Sequence, residues 1–260
     1  MKTTIYLFFL ISYSIFCQES IEATFVKKSP FEADKLVSVD NFGTKYYINN
    51  DVFYKKNTSQ ILTYNNLQLG NLETVNAFNP LKINLFYKDF NTVIILDNRL
   101  AEIFKIDFNT ASKYKNVSHV STGYDNTIWL FNQDTQLLEV FDYKTRTTRA
   151  QILQPIDNEI LDLKSNYNYC YLLTKEHLTI YNYFGSVIRI LKNEGYTELA
   201  ESNEALYLKK GDNLFYLGKN SKNVLPVNSK NILINQFFVT NETLYIYDNE
   251  TLQEFQIKIN

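Results

Sequence analysis

The side chains that most often perform chemistry are few in this sequence and stand apart from one another. The 260 residues contain two histidines, His119 and His177, and neither has a second histidine or a cysteine close to it in the chain. A zinc site needs three or four such ligands, so this spacing indicates no metal site. His177 lies in a polar turn, where we expect it to be exposed, whereas His119 lies in a strand-like stretch.

The carboxylates are scattered in the same way. Most aspartates fall at strand ends or turns, where the Asp side chain bonds the nearby backbone. The sequence contains no calcium loop, P-loop, dinucleotide-binding motif or nucleophile elbow. Two carboxylates could be paired only by the fold, as in glycoside hydrolases. We therefore expect no catalytic residue, no cofactor and no metal, so that the protein is not an enzyme.

The first residues have the features of an export signal. Lys2 precedes the apolar stretch Ile5–Phe16, which is too short to span a bilayer and is followed by polar residues. This predicts a signal peptide over residues 1–17, cleaved near Cys17, and a protein located in the periplasm. The alternative is a lipoprotein acylated on Cys17, although that processing favours a small residue at the position that Phe16 occupies.

After cleavage only Cys170 remains, so no intramolecular disulfide can form. Cys170 lies in the middle of an apolar strand, and we expect it to be a small buried side chain. No later stretch approaches the length of a membrane span, which predicts contact with a membrane only through a protein partner.

The charge and the aromatic content restrict the partners. Lys and Arg number 26 against 28 Asp and Glu, with no basic run, so no nucleic-acid partner is expected. The 20 Tyr and 19 Phe suit half-buried strands. Some of them are candidates for an exposed protein-binding face, because aromatic residues are enriched at interface centres.

A strand pattern returns six times along the chain, each time flanked by polar turns. The starting residues are 35 to 48 positions apart. The repeated strands are Thr44–Ile48, Thr92–Leu96, Thr127–Phe131, Tyr169–Leu173, Ala205–Lys209 and Thr243–Tyr247. A period near 40 residues with several strands in each unit is typical of β-propeller blades.

This period predicts an all-β fold in which residues 18–260 form one β-propeller domain. We expect six blades of four antiparallel strands, with five or seven as alternatives. Trp129 is then expected to pack in the core or between blades. The last unit has only three strands, while the N-terminal segment Ile21–Lys27 supplies a spare one. Because an open blade edge exposes unpaired backbone groups, we predict that this segment closes the ring.

One stretch is denser in apolar residues than the rest. Asn79–Phe90 is followed at once by Asn91–Phe104, and the simplest interpretation is an ordinary hairpin. The functional interpretation is a blade edge that binds a protein partner. The partner-binding candidates are Pro80, Tyr87, Lys88 and Phe90.

The same stretch carries a resemblance to a known family. Asn79–Phe108 (NPLKINLFYKDFNTVIILDNRLAEIFKIDF) resembles a segment of small exported propeller-like proteins from bacteria with a type 9 secretion system. Within that group it resembles the plug subunit of the outer-membrane translocon. The signal ending in Cys17–Gln18 fits this source. The resemblance implies a non-catalytic periplasmic interaction subunit that binds an outer-membrane protein-export channel and blocks its periplasmic opening.

Two alternatives from other classes stay open. One is a propeller scaffold or assembly factor for outer-membrane proteins. The other is a propeller that binds a ligand or sugar, or an enzyme, with convergent polar groups in its central channel. In the preferred interpretation the partner is the translocon or another envelope protein, and no homo-oligomer is expected.

Overall fold

The computed structural model describes residues 20–110, 113–228 and 233–259. The predicted signal peptide lies outside the described residues. The regular secondary structure of the described residues is β-strand, apart from one 3-10 turn at Leu67–Leu69. No helix among the described residues is long and apolar enough to cross a membrane.

The strands form six four-stranded blades. The first strand of the described residues is β1 (Ile21–Pro30). Blade 1 contains β2 (Lys35–Val39), β3 (Lys45–Asn49), β4 (Val52–Lys56) and β5 (Ile61–Tyr64). Blade 2 contains β6 (Thr74–Asn76), β7 (Ile83–Tyr87), β8 (Thr92–Leu96) and β9 (Glu102–Asp107). Blade 3 contains β10 (Val117–Thr122), β11 (Thr127–Asn132), β12 (Leu137–Asp142) and β13 (Thr147–Gln151).

The other three blades repeat this order. Blade 4 contains β14 (Ile160–Ser165), β15 (Tyr169–Thr174), β16 (His177–Asn182) and β17 (Val187–Lys192). Blade 5 contains β18 (Glu198–Ser202), β19 (Ala205–Lys210), β20 (Asn213–Leu217) and β21 (Leu225–Asn228). Blade 6 contains β22 (Gln236–Thr240), β23 (Thr243–Tyr247) and β24 (Thr251–Lys258), and its fourth strand is β1. The predicted six-bladed propeller is therefore confirmed.

The N-terminal strand closes the ring, as the spare strand predicts. β1 pairs antiparallel with β24 from Glu22–Lys258 to Pro30–Thr251, across one irregularity between Phe25 and Lys27. Its first residues also pair in parallel with β21, where Ile21 lies opposite Val227. One strand thus completes blade 6 and joins it to blade 5.

Short turns connect the strands inside each blade. Asn50 and Asp51 link β3 to β4, with φ angles of 50° and 58°. Two-residue hairpins need this left-handed backbone, which Asn and Asp tolerate better than most residues. The Asn- and Asp-rich turns of the sequence are therefore the local cause of the hairpin repeat.

The core is divided among the six seams between neighbouring blades. Between blades 3 and 4, Trp129 packs in one buried cluster with Ile152, Leu163 and Leu172. Cys170 belongs to the same cluster and is fully buried, so burial raises the pKa of its thiol. The expected inter-blade role of Trp129 and the buried position of Cys170 are both confirmed.

One member of the predicted repeat is out of phase with the others. Thr92–Leu96 is β8, the third strand of blade 2, whereas the other five repeats are second strands. The true equivalent in blade 2 is β7, which begins at Ile83. Because β7 and β8 are both buried along their whole length and mostly apolar, the pattern alone does not distinguish them. The first interval of the repeat is long because it runs from the second strand of blade 1 to the third strand of blade 2.

Candidate functional site

A cavity of about 670 Å³ runs along the axis of the ring. Every blade contributes its first strand to the wall. Representative lining residues from the six strands are Val37, Val75, His119, Leu163, Ala200 and Phe238. We call this cavity the central channel.

Hydrogen bonds between the first strands of different blades show that these strands run in the same direction along the channel. Asp162 Oδ2 on β14 accepts from the Leu199 amide on β18 at 2.8 Å. The Leu36 amide on β2 donates to Gln236 Oε1 on β22 at 2.7 Å. Each bond joins the beginnings of two strands, so the first strands run parallel. The channel therefore has a starting end, where they begin, and a turn face, where they turn into the second strands.

Charged side chains gather at the starting end. Lys164 Nζ lies 3.0 Å from Asp162 Oδ1 on the same strand. Lys209 Nζ lies 2.7 Å from Glu198 Oε1 and also donates to the Asn235 carbonyl. Each of these two ammonium groups is therefore matched by a carboxylate.

Lys35 differs from its neighbours at the starting end. Its Nζ donates to the backbone carbonyl of Glu73 at 3.2 Å, and no carboxylate of the described residues lies within ion-pair distance. Although the side chain reaches water in the channel, the surrounding protein desolvates the ammonium and lowers the pKa of Lys35, and the charge of Lys164 lowers it further. The charges of Glu73, Asp162 and Glu198 partly oppose this lowering, but the hydrogen-bond acceptor of Lys35 is a neutral carbonyl.

His119 lies half-buried in the channel wall. Its Nδ1 is 2.9 Å from the Ser118 hydroxyl. Burial lowers the pKa of His119, and the attraction of Asp162 only partly opposes this effect. The imidazole is therefore neutral near pH 7. His177, in contrast, is exposed at the start of β16, as the sequence predicts.

A buried polar network joins blades 2, 3 and 4 near the turn face. Asn76 Nδ2 donates to Ser121 Oγ at 3.0 Å, and Asn84 Nδ2 donates to Thr122 Oγ1 at 3.0 Å. The Ser165 hydroxyl donates to Ser121 Oγ at 2.7 Å. Because these groups satisfy one another, the network holds three first strands in fixed positions.

The turn face carries an aromatic band that the sequence does not single out. The rings of Phe78 and Tyr167 pack edge to face with their centroids 5.0 Å apart, although the two residues belong to blades 2 and 4. The ring centroid of Tyr124 in blade 3 lies 5.8 Å from that of Tyr183 in blade 4. The ring centroid of Tyr183 lies 4.0 Å from that of Phe184. All five side chains are between 38% and 62% exposed. We define the aromatic band as these two groups of rings on the turn face, Phe78 with Tyr167 and Tyr124 with Tyr183 and Phe184.

Polar bridges hold the remaining turns of this face. Asn203 Nδ2 donates to Asn241 Oδ1 at 3.3 Å, and Asn241 Nδ2 donates to Asn41 Oδ1 at 2.8 Å. Asn166 Nδ2 donates to Glu201 Oε1 at 2.8 Å. Burial raises the pKa of Glu201 in spite of this bond. The face is thus braced by hydrogen bonds between neighbouring blades.

The four predicted partner-binding residues do not form one edge. Pro80 is exposed on the turn face, between β6 and β7. Lys88 and Phe90 are exposed in the turn between β7 and β8, at the opposite end of the ring. Tyr87 is fully buried, which raises the pKa of its phenol to about 12. The structure therefore separates Pro80 from the other three residues.

Neither the channel charges nor the aromatic band form a motif. Each set draws its members from several blades, so no single spacing marks it. The available signal is positional: Phe78, Tyr124 and Tyr167 each occupy the turn between the first and second strands of a blade. Within the described ranges, no three His, Cys, Asp or Glu side chains are grouped closely enough to hold a metal ion.

Comparisons with known proteins agree on the fold. No protein-family model and no curated protein sequence matches this chain. Among solved structures, it is similar to a virginiamycin B lyase from Staphylococcus aureus, with a TM-score of 0.59 and 10% identity over 84% of this chain and 78% of the lyase. It is also similar to BamB from Moraxella catarrhalis, with a TM-score of 0.52 and 9% identity over 90% of this chain and 99% of BamB.

A third similar structure is PorZ of Porphyromonas gingivalis, described as an essential surface component of the type-IX secretion system. The TM-score is 0.53 and the identity 13%, over 84% of this chain but only 31% of PorZ. At such identities the similarity concerns the fold alone, because one fold hosts many unrelated functions. These similarities show that the chain is a β-propeller and do not extend to its function.

Proposed function

We propose that this protein is a non-catalytic interaction subunit of the bacterial envelope. Through its turn face it binds the periplasmic opening of an outer-membrane protein-export channel and blocks that opening. The observation that carries the proposal is the aromatic band. The predicted signal peptide and the resemblance of Asn79–Phe108 to the plug family supply the location and the class of partner.

The aromatic band has the composition of an interface centre. Tyr and Phe supply large contact areas with few rotatable bonds and are enriched where protein partners dock. Pro80 and Leu81 continue the apolar surface on the same turn, and Leu81 is 62% exposed. Contiguous exposed apolar patches on a soluble protein commonly mark a binding site. Pro80 is therefore retained as a proposed contact.

Rigidity is the second property that a blocking subunit requires. The turns of this face are held by the Asn203–Asn241–Asn41 bridges and by the buried network around Ser121. A surface that is already ordered loses little conformational entropy when it binds. The closed ring and its braced face therefore suit a disc that covers a wide opening.

The aromatic band gives the direct test. We expect the triple variant Tyr124→Ser, Tyr183→Ser, Phe184→Ser to reduce recovery of the export channel with the tagged protein by about tenfold or more, because central aromatic contacts dominate binding energy. The measurement is affinity purification from gently solubilised envelopes, with quantitative mass spectrometry of the channel. The matched control is Leu153→Ser, which removes a side chain that is 97% exposed but lies outside the band.

Function in the cell gives the second readout. A strain without the protein, or with the triple variant, should admit bulky antibiotics through the outer membrane, whereas the Leu153→Ser strain should not. Unchanged permeability in the deletion strain would overturn the blocking role. Recovery of an outer-membrane protein assembly machine instead of an export channel would favour the scaffold alternative.

A further inference from the structure

The starting end of the channel lies opposite the aromatic band and is chemically different from it. Lys35, His119, Asp162, Lys164 and Glu198 all line the channel wall at this end. The docking surface on the turn face uses none of them. A ligand site at the starting end is therefore independent of the proposed function.

One ammonium group of this end has no carboxylate within ion-pair distance among the described residues, although the charges of Glu73, Asp162 and Glu198 act on it from further away. Asp162 matches Lys164, and Glu198 matches Lys209. Lys35 has only the carbonyl of Glu73, a neutral acceptor. An ammonium group that is partly desolvated is stabilised by an anion that forms a charge-assisted hydrogen bond with it.

The channel has the size and the lining of a ligand site. Its volume of about 670 Å³ falls within the usual range for small-molecule pockets. Val37, which is partly exposed, offers an apolar contact beside the charged groups. Such sites typically combine an apolar wall with a few polar groups that orient the ligand.

We propose that the starting end of the channel binds a carboxylate group, with Lys35 as its principal donor and Lys164 as the second. A phosphate carries more negative charge and would be repelled by Asp162 and Glu198. The ligand is thus a monocarboxylate with a neutral or apolar body, either a small organic acid or the C-terminus of a peptide.

The test is calorimetric titration of the full mature chain with four probes. Butyrate represents a small organic acid, and N-acetyl-trialanine represents the C-terminus of a peptide. The C-terminal amide of the same peptide is the uncharged control, and inorganic phosphate is the more highly charged anion. We expect saturable binding of at least one carboxylate and markedly weaker binding of the amide and of phosphate. Butyrate and the peptide acid distinguish the two sources of the group.

Variants assign the binding to Lys35. Lys35→Met should weaken carboxylate binding by about tenfold or more, because a charge-assisted hydrogen bond is lost. Lys105→Met removes an exposed lysine on the outer strand β9 and should leave binding unchanged. Equal binding of acid and amide, or equal losses in both variants, would refute the site.

A measurement on the unaltered chain protects the test against misfolding of a variant. With lysine side chains labelled for NMR, the Lys35 Cε–Hε signal should shift on addition of the carboxylate, while the Lys105 signal should stay in place. Absence of any Lys35 shift at saturating carboxylate would overturn the proposal. Recovery of the export channel with the aromatic-band variant tests only the docking proposal. The carboxylate site and the docking surface can therefore be refuted independently of each other.

Discussion

A chain that lacks residues 20–30 is expected to lose its cooperative unfolding transition and to be recovered mainly as aggregate. This deletion removes β1, which pairs with β24 along almost its whole length and bridges to β21 at Ile21. Ile21 is buried in the cluster that holds blades 5 and 6 together. The deletion thus opens the ring at that seam and leaves β24 as an unpaired edge, which promotes aggregation.

The loss should exceed the stability that such a domain has to spare, which is about 5–15 kcal/mol in total. Thermal unfolding followed by circular dichroism and by light scattering measures it. The sharpest control supplies the missing strand in trans. A synthetic peptide of residues 20–30 should restore the transition, whereas the same peptide with Ile21→Asp should not. A deleted chain with an unchanged sharp transition would show that the ring does not depend on β1.

Ring closure could be predicted because two independent features of the sequence indicate it. The last unit lacks a strand, and the segment after the predicted signal supplies one. The physical rule against open edges then leaves a single arrangement. The local turn residues, such as Asn50 and Asp51, similarly determine where each hairpin reverses.

The candidate site could not be predicted in the same way. Lys35, Asp162 and Glu198 are far apart in the chain, and only the parallel first strands bring them to one end. Phe78 and Tyr167 meet because turns of different blades converge on one face. Sequence spacing contains the strand period but not the distance between side chains of non-adjacent blades.

The sequence also does not show which end of the ring each turn occupies. The predicted single edge is an example, and its residues are Pro80, Tyr87, Lys88 and Phe90. A strand advances about 3.3 Å per residue, so β7 places roughly 13 Å or more between its two turns. Those turns belong to opposite faces of the ring. The hairpin interpretation of the segment is correct, but it does not say which faces the turns reach.

The second large effect is expected from a buried ion pair in blade 3. Lys115 Nζ bonds Glu139 Oε2, and both residues are less than 10% exposed. Glu139 also accepts from Thr148 Oγ1 at 2.6 Å and from Asn132 Nδ2 at 3.2 Å. Burial would raise the pKa of Glu139, but these three donors outweigh burial and lower it.

We expect Lys115→Met to lower the free energy of unfolding by about 3–5 kcal/mol near pH 7, because it leaves a buried carboxylate without its cation. Urea unfolding measures this change. The matched control is the double variant Lys115→Met, Glu139→Gln, which removes the charge but keeps an acceptor for Thr148. It should recover more than half of the loss, whereas equal losses in both variants would assign the effect to the packing of Lys115.

The pH dependence identifies the cause. In the unaltered protein the lowered pKa of Glu139 contributes stability that is present above the pKa of the unfolded chain and is lost as the pH falls through the folded value. Without Lys115, burial dominates and the pKa of Glu139 rises, so the folded variant takes up a proton more readily than the unfolded chain. The free energy of unfolding of Lys115→Met should therefore approach that of the unaltered protein as the pH is lowered from about 7 to about 5. A difference that stays constant over this range would show that the destabilisation is not electrostatic.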